Sequence, residues 1–290
     1  MIGDWRERLR IPVMLMPAMA VVIVLFMGGL VMGLMQSFEY MPVIGKNDFT
    51  VQAYVNIFTD RTFLRSLGLT CWIGFASTIL STILAIVCAL VLRQDLPGKR
   101  FVTFVFQLNV PIPHVVGAIA VMFLFTQSGL LARIGYLAGL ISEPADFPAL
   151  VYDKRAIGII LEYMWKMTPF TGVMVLAVLQ SIGEDYEDLA RTLGASAWQR
   201  FRYVLLPLIM PGVLRASILT FAFGFGAFEV PWFLGQRFPS ALPVLAFRCY
   251  HDVDLNARPE AMAMSMIIAG LITVLILIYM RLTEIYVRTD

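Results

Sequence analysis

Glu162 and Lys166 stand four residues apart in an otherwise apolar run, with Glu N-terminal to Lys, the spacing and order of an ion pair on one helix face. Ionisable groups at bilayer depth are costly, so such residues point to a solute path. A self-satisfied pair that only locks helices together is the structural alternative. Glu229, beside Pro231, could attract a cation or hydrogen-bond a neighbouring helix end. Pro111 and Pro113 would leave carbonyls without helical partners, and those carbonyls could line a cavity; a simple kink or a later helix start is the other reading. His114 follows directly, but no second His, Cys or carboxylate lies at ligand spacing, so no metal site is expected. No Ser-His-Asp or Cys-His pairing marks a catalytic centre. Nor is there a G-x-x-x-x-G-K-[ST] loop to cradle phosphates.

A second group of informative residues is polar and local. Ser181 to Gly212 reads SIGEDYEDLARTLGASAWQRFRYVLLPLIMPG. Ser181 and Glu184 have capping-box spacing, and Glu184, Asp185, Glu187 and Asp188 fall where a helix dipole favours negative charge. Leu189 and Leu193 lie one turn apart, with Ala190 and Gly194 on the neighbouring stripe, so an apolar track runs beside a small-residue track. Gly194 would end this helix. Ser196 with Gln199 repeats the capping-box spacing, Trp198, Phe201 and Leu205 would face one way on a second short helix, and Pro207 and Pro211 would break the chain there.

The elements that must hold these residues are membrane helices. Of the 290 residues, 59% are hydrophobic and 14% charged, with a mean hydropathy of +0.80, against about 45–50% and about 25% in soluble domains. A net charge of +2 is too balanced to suggest nucleic acid, and Cys71, Cys88 and Cys249 are too scattered for a disulfide framework. Six stretches approach the roughly 20 apolar residues a span requires: 11–35, 66–92, 101–127, 157–180, 208–228 and 262–282. Gly129 to Ile141 is apolar but short, and is expected as a surface helix or packed loop. Arg6, Arg8 and Arg10 before the first span, Arg93, Lys99 and Arg100 after the second, and Arg191, Arg200 and Arg202 before the fifth place both termini and the polar segment in the cytoplasm. Gly29, Gly33, Gly224 and Gly226 are expected as packing positions.

The polar segment resembles the cytoplasmic signature loop of permease subunits of binding-protein-dependent ATP-binding-cassette (ABC) importers, in which EAA, three residues, Gly, nine residues and I-x-LP follow in order. Asp188, Leu189 and Ala190 stand at the EAA positions, Gly194 at the glycine, Val204 at the isoleucine, and Leu206 and Pro207 at the LP. RSLGLT at 65–70, LPGKR at 96–100 and WKMTPF at 165–170 are similar to other stretches of that family, and GAFEVPWFLG at 226–235 looks most like the branch that moves polyamines, ferric iron, thiamine and organophosphonates. The resemblance implies an all-α type I importer permease of six transmembrane helices in the cell inner membrane. It divides the chain into residues 1–62 (tail, first helix and outer loop), a permease domain over 63–282 with a coupling segment at 181–207, and a tail at 283–290. ATPase coupling would fall to Glu184, Glu187, Asp188, Leu189, Ala190, Leu193, Gly194, Trp198, Leu206 and Pro207; the path candidates are Glu162, Lys166, Pro111, Pro113 and Glu229. The implied partners are a cytoplasmic ATPase dimer holding ATP and Mg, a second permease subunit and a solute-binding protein, with no cofactor in this chain. A membrane enzyme or assembly factor is the alternative, but it would need His or acidic residues clustered at one depth.

Overall fold

The computed structural model describes residues 4–95, 97–183 and 185–288; Glu184 and Leu96, named above, and the last two residues of the tail lie outside the described residues. The described chain is helical. In order the helices are α1 (Asp4–Val22), α2 (Gly28–Ser37), α3 (Gln52–Thr59), α4 (Arg61–Arg93), α5 (Lys99–Gln107), α6 (His114–Phe125), α7 (Leu130–Leu137), α8 (Ile157–Ile182), α9 (Asp185–Thr192), α10 (Ala197–Arg200), α11 (Leu206–Gly226), α12 (Glu229–Leu234), α13 (Leu242–Tyr250) and α14 (Arg258–Arg288). Wider π-turns join α1 to α2 at Ile23–Met27 and α10 to α11 at Phe201–Leu205.

Five stretches are long and apolar enough to cross a membrane: Pro12–Ser37, Arg61–Arg93, His114–Leu137, Ala197–Gly226 and Leu255–Ile278. The third is interrupted between α6 and α7, where Thr126 turns to extended backbone. The candidate span thus begins at His114, later than the 101–127 read from sequence, and takes in α7, which forms from the short apolar stretch expected outside it. α8 has 26 residues but is not among the five, because Glu162, Lys166 and its threonines dilute its apolar character. It is instead well enclosed, with half of its residues buried. One apolar cluster joins it to α4, α6 and α12 through Ile73, Ala118, Ile159, Tyr163 and Val230. A second, through Ala89, Val175, Leu179, Ile209 and Val213, joins it to α4 and α11.

The packing has the inverted chemistry of a bilayer protein. α4 buries Ser66, Thr70, Gly74, Ser77, Ser81, Ala85 and Ala89, a stripe of small residues at helical spacing, while Trp72, Phe75, Ile79, Ile83 and Val87 face outward. Small residues let helix backbones approach; of the buried hydroxyls, Thr70 Oγ1 donates to the Ser66 carbonyl and Ser77 Oγ to that of Ile73, while Ser66 Oγ has no protein partner. Gly224, as expected, faces Ser77 and Tyr163, and Gly226 faces Ile272.

By internal packing the chain forms two compact units, Met1–Arg61 with Leu245–Ile267, and Thr62–Val244 with Ile268–Asp290. In the first, Gly33 packs against Met266, whereas Gly29 meets no neighbour. Tyr54 Oη donates to Ser37 Oγ at 2.9 Å, and Asn56 Nδ2 to Glu260 at 2.9 Å. The Thr50 hydroxyl and the Lys46 ammonium hold the Glu39 carboxyl below its ordinary range, against an opposing effect of burial. The second unit carries the candidate site.

Two expectations for the polar segment are corrected. Ser181 does not cap a new helix: it lies in the last turn of α8, its Oγ donating to the Val178 carbonyl at 2.8 Å, and α8 ends only at Gly183, whose φ of 73° closes it. Pro207 and Pro211 do not break the chain either, since α10, the π-turn and α11 run on as one helical stretch. A proline ring collides with the carbonyl four residues back, and Pro207 follows the wider turn at Phe201–Leu205 in the first turn of α11, where a proline is tolerated, while Pro211 lies inside α11.

Candidate functional site: a broken helix, its lysine cap and a polar segment

The Pro111–Pro113 stretch breaks a helix outright instead of kinking it. α5 ends at Gln107 and α6 begins at His114, and the turn between them keeps only local bonds such as Val110 N–H to the Gln107 carbonyl. The Asn109 carbonyl keeps a local bond from the Ile112 N–H at 3.1 Å, and Lys166 reaches across from α8 as a further donor to it and as donor to the carbonyls that the break leaves without a helical N–H. Its ammonium donates to the carbonyls of Asn109, Val110 and Ile112. Asn109 returns the contact, its Nδ2 donating to the Trp165 carbonyl at 2.6 Å. Lys166 is 6% exposed, and its bond to the Asn109 carbonyl is buried, whereas those to Val110 and Ile112 are part-buried.

Glu162 therefore does not pair with Lys166. The side chain, fully buried, turns to His114, with Oε1 3.2 Å from Nδ1, while Oε2 and the hydroxyl of buried Tyr163 find no protein partner. The His114 ring stacks on Phe223 of α11, centroids 4.4 Å apart. Gly117, one turn along α6, leaves the room: a methyl group there would stand 2.7 Å from Glu162 Oε1 and 3.2 Å from Trp165. Gly117→Ala is expected to destabilise the protein by about 1–3 kcal/mol, the usual range for overpacking. The check is the melting temperature in detergent, against Gly68→Ala, where the added methyl meets nothing.

A cavity of about 310 Å³ opens beside this cluster, walled by Met167, Phe170, Leu219 and Phe223, with His114 and Lys166 as its polar groups. That is the size and character of a small-molecule site, mostly apolar with a few placed polar groups. Of the path candidates, Glu162 and Lys166 meet at the broken helix, while Pro111 and Pro113 are exposed at its edge. Glu229 lies on the exposed start of α12, after α11 has ended at Gly226, and its neighbour Val230 packs in the same apolar cluster as Tyr163. Sequence reasoning passed over Asn109, Tyr163 and Phe223, and weighed His114 only as a metal ligand. The available signal was the position of His114 directly after the proline pair, at the first turn of a new helix.

At the other end of the same unit the polar segment is built as a pair of capped helices. Gly194 closes α9 at φ 82°, with Gly194 N–H bonded to the Arg191 carbonyl and Ala195 N–H to that of Ala190, the paired bonds of a Schellman motif. Ser196 and Gln199 make the expected reciprocal capping box at the start of α10. Leu189, Leu193 and Trp198 are exposed, Leu193 by 81%. Of the three residues expected on one face of the second helix, Trp198 points out, Phe201 is half-buried and Leu205 is buried against α8 and α11. Glu187 turns inward to Arg93 at the end of α4, whereas Asp188 meets Arg191 at the surface. Ala190 and Leu206 are half-buried, and Pro207 is exposed.

A bundle of apolar helices with a lysine-capped helix break and a capped polar segment has the construction of a membrane permease. Residues 81–289 match the family described as "Binding-protein-dependent transport system inner membrane component", and the chain belongs to that family. It is a multi-pass inner-membrane protein and a transporter subunit, not an enzyme. The trehalose transport system permease protein SugA of Mycobacterium tuberculosis (strain CDC 1551 / Oshkosh) is 28% identical over 233 residues, 79% of this chain and 73% of that protein. The sulfate transport system permease protein CysW of Synechocystis sp. (strain ATCC 27184 / PCC 6803 / Kazusa) is 28% identical over 244 residues, 81% of each. In fold, the chain is similar to a chain of the crystal structure of a bacterial ABC transporter involved in import of the acidic polysaccharide alginate, with a TM-score of 0.81 and 18% identity over 97% of both chains.

Proposed function

We propose that this chain forms half of the membrane pathway of an ATP-driven importer, crossing the bilayer six times with both termini in the cytoplasm and with α8, less apolar than the other five, as the fourth span in order. The observation that carries the reading is the exposed apolar set Leu189, Leu193 and Trp198, held on a segment whose helix ends are fixed by Gly194 and by the Ser196 capping box. Large apolar side chains presented together from an otherwise charged segment suit a protein partner. That partner is a cytoplasmic ATPase dimer, which would bind ATP and Mg. Leu206 and Pro207 continue the segment into α11, so a push on α9 and α10 is delivered to a helix packed along α8. A second permease subunit completes the pathway, and a periplasmic or extracellular solute-binding protein delivers the solute.

The solute in this reading is small and polar or charged. Trehalose and sulfate in the names of the relatives bring sugars and oxyanions into a class that the 226–235 resemblance alone would confine to polyamines, organophosphonates or iron. Reconstitution with its cognate ATPase and binding protein, followed by uptake of radiolabelled trehalose, sulfate and putrescine, is the test. ATP-dependent accumulation of one of them is expected. Uptake that proceeds without ATP, or a chain that retains no ATPase on purification, overturns the assignment.

A further inference from the structure

α9 is an unusual element to transmit force, because none of its described residues is buried and a glycine of positive φ stands on either side of it, Gly183 at φ 73° and Gly194 at φ 82°. An eight-residue helix without a buried face is not stable by itself. Something must hold it sideways. Arg93, the last residue of α4, has the geometry to do so: Nη1 stands 2.5 Å from Glu187 Oε2 in α9, and Nη2 donates to the Gly183 carbonyl at the end of α8, 2.6 Å away. One planar guanidinium thus ties together the ends of two long helices and the start of a short one, a task suited to the rigid fork of arginine.

The electrostatics favour this arrangement at each contact. The guanidinium lies at the C-terminal end of α8 and Glu187 in the first turns of α9, the positions where helix dipoles stabilise a cation and an anion respectively. The pair is shielded, with the two side chains 13% and 22% exposed, whereas the neighbouring Asp188–Arg191 pair is 59% and 66% exposed and so screened by water. Lys99 donates to the Arg93 carbonyl at 3.2 Å and fixes the backbone from which the guanidinium projects.

We propose that Arg93 is a positioning residue that tethers α9 to α4 and α8, so that displacement of α9 is passed to these two helices and not absorbed at the two glycines. α4 has 33 residues and spans about 50 Å at the rise of an α-helix. Its far part packs into the same apolar cluster as α6 and Tyr163. The tether connects the polar segment to the helices around the broken-helix site. The inference rests on the reading of this segment as the ATPase contact.

The experiment is a double-mutant cycle in the full complex of permease, ATPase and solute-binding protein in proteoliposomes, with MgATP hydrolysis read as the stimulation produced by the binding protein as purified. Arg93→Gln and Glu187→Gln are each expected to lower that stimulation roughly 5- to 30-fold, equivalent to one or two kcal/mol of coupling. The double variant should be no worse than the worse single one, because both remove one contact. Arg93→Lys, which keeps the charge but loses the two-pronged geometry, should recover part of the stimulation. Additive losses, or normal stimulation in Arg93→Gln, overturn the tether. Gly194→Val in the same assay separates the two levels. If it abolishes stimulation while Arg93→Gln does not, only the tether falls; if it too is normal, the ATPase-contact reading falls with it.

Discussion

Lys166→Met is expected to destabilise the protein more than any other single change at the site. Methionine fills nearly the same volume, so packing is largely retained and the loss is electrostatic. The carbonyls of Asn109, Val110 and Ile112 lose the ammonium they share, and no helical N–H replaces it because the chain there is broken by Pro111 and Pro113. The Asn109 carbonyl keeps the Ile112 N–H, so two carbonyls are left without a partner; at about 1–3 kcal/mol for each unsatisfied buried group, a loss of about 2–6 kcal/mol is expected, with lower yield and a lower melting temperature in detergent. Glu162→Gln should be milder, since an amide can still bond His114. Lys166→Arg should fall between, its planar fork being unable to converge on three carbonyls as an ammonium does. A melting temperature unchanged in Lys166→Met would mean that water reaches the break and replaces the ammonium.

That expectation shows which part of the site can be read from sequence. The proline pair announces carbonyls without partners, and an intramembrane lysine announces a need for some, but nothing in the spacing joins the two. A four-residue interval makes Glu162 the obvious neighbour of Lys166, because the helix is the only geometry available before the fold is known. The fold brings α5 and α6 against α8 and offers Lys166 three oxygens instead of one carboxylate, leaving Glu162 to a histidine 48 positions earlier. Arg93 was hidden in a similar way. At the end of an apolar run it serves the charge asymmetry that sets orientation, and its partnership with Glu187, 94 residues on, is a tertiary fact. Local chemistry was legible where it is complete within a few residues: the Ser196–Gln199 box and the Gly194 helix end both formed as read. It failed at Ser181 and at Pro207 and Pro211, where α8 ran on by a turn and a helix passed through its prolines.

Gly194 gives the second large effect, and the structure specifies its cause. A bulky residue there would usually be expected to fail by collision, yet a side chain at Gly194 meets nothing within 4 Å. What glycine supplies is the backbone: at φ 82° an ordinary L-residue is strained by roughly 1–2 kcal/mol, and a β-branched one by more. α9 has no buried residue to offset that strain, so the Schellman bonds from Gly194 and Ala195 open and the helix frays from its C-terminal end. Gly194→Val is therefore expected to abolish stimulation of MgATP hydrolysis by the binding protein, while Gly194→Asn, which tolerates the left-handed region, keeps most of it. Gly194→Trp discriminates between two causes. If backbone strain alone governs, it behaves like Gly194→Ala, both being unbranched L-residues with room for a side chain. If Trp is far worse than Ala, the open space beside Gly194 is where the ATPase sits, and its surface, together with Leu189, Leu193 and Trp198, belongs to the contact.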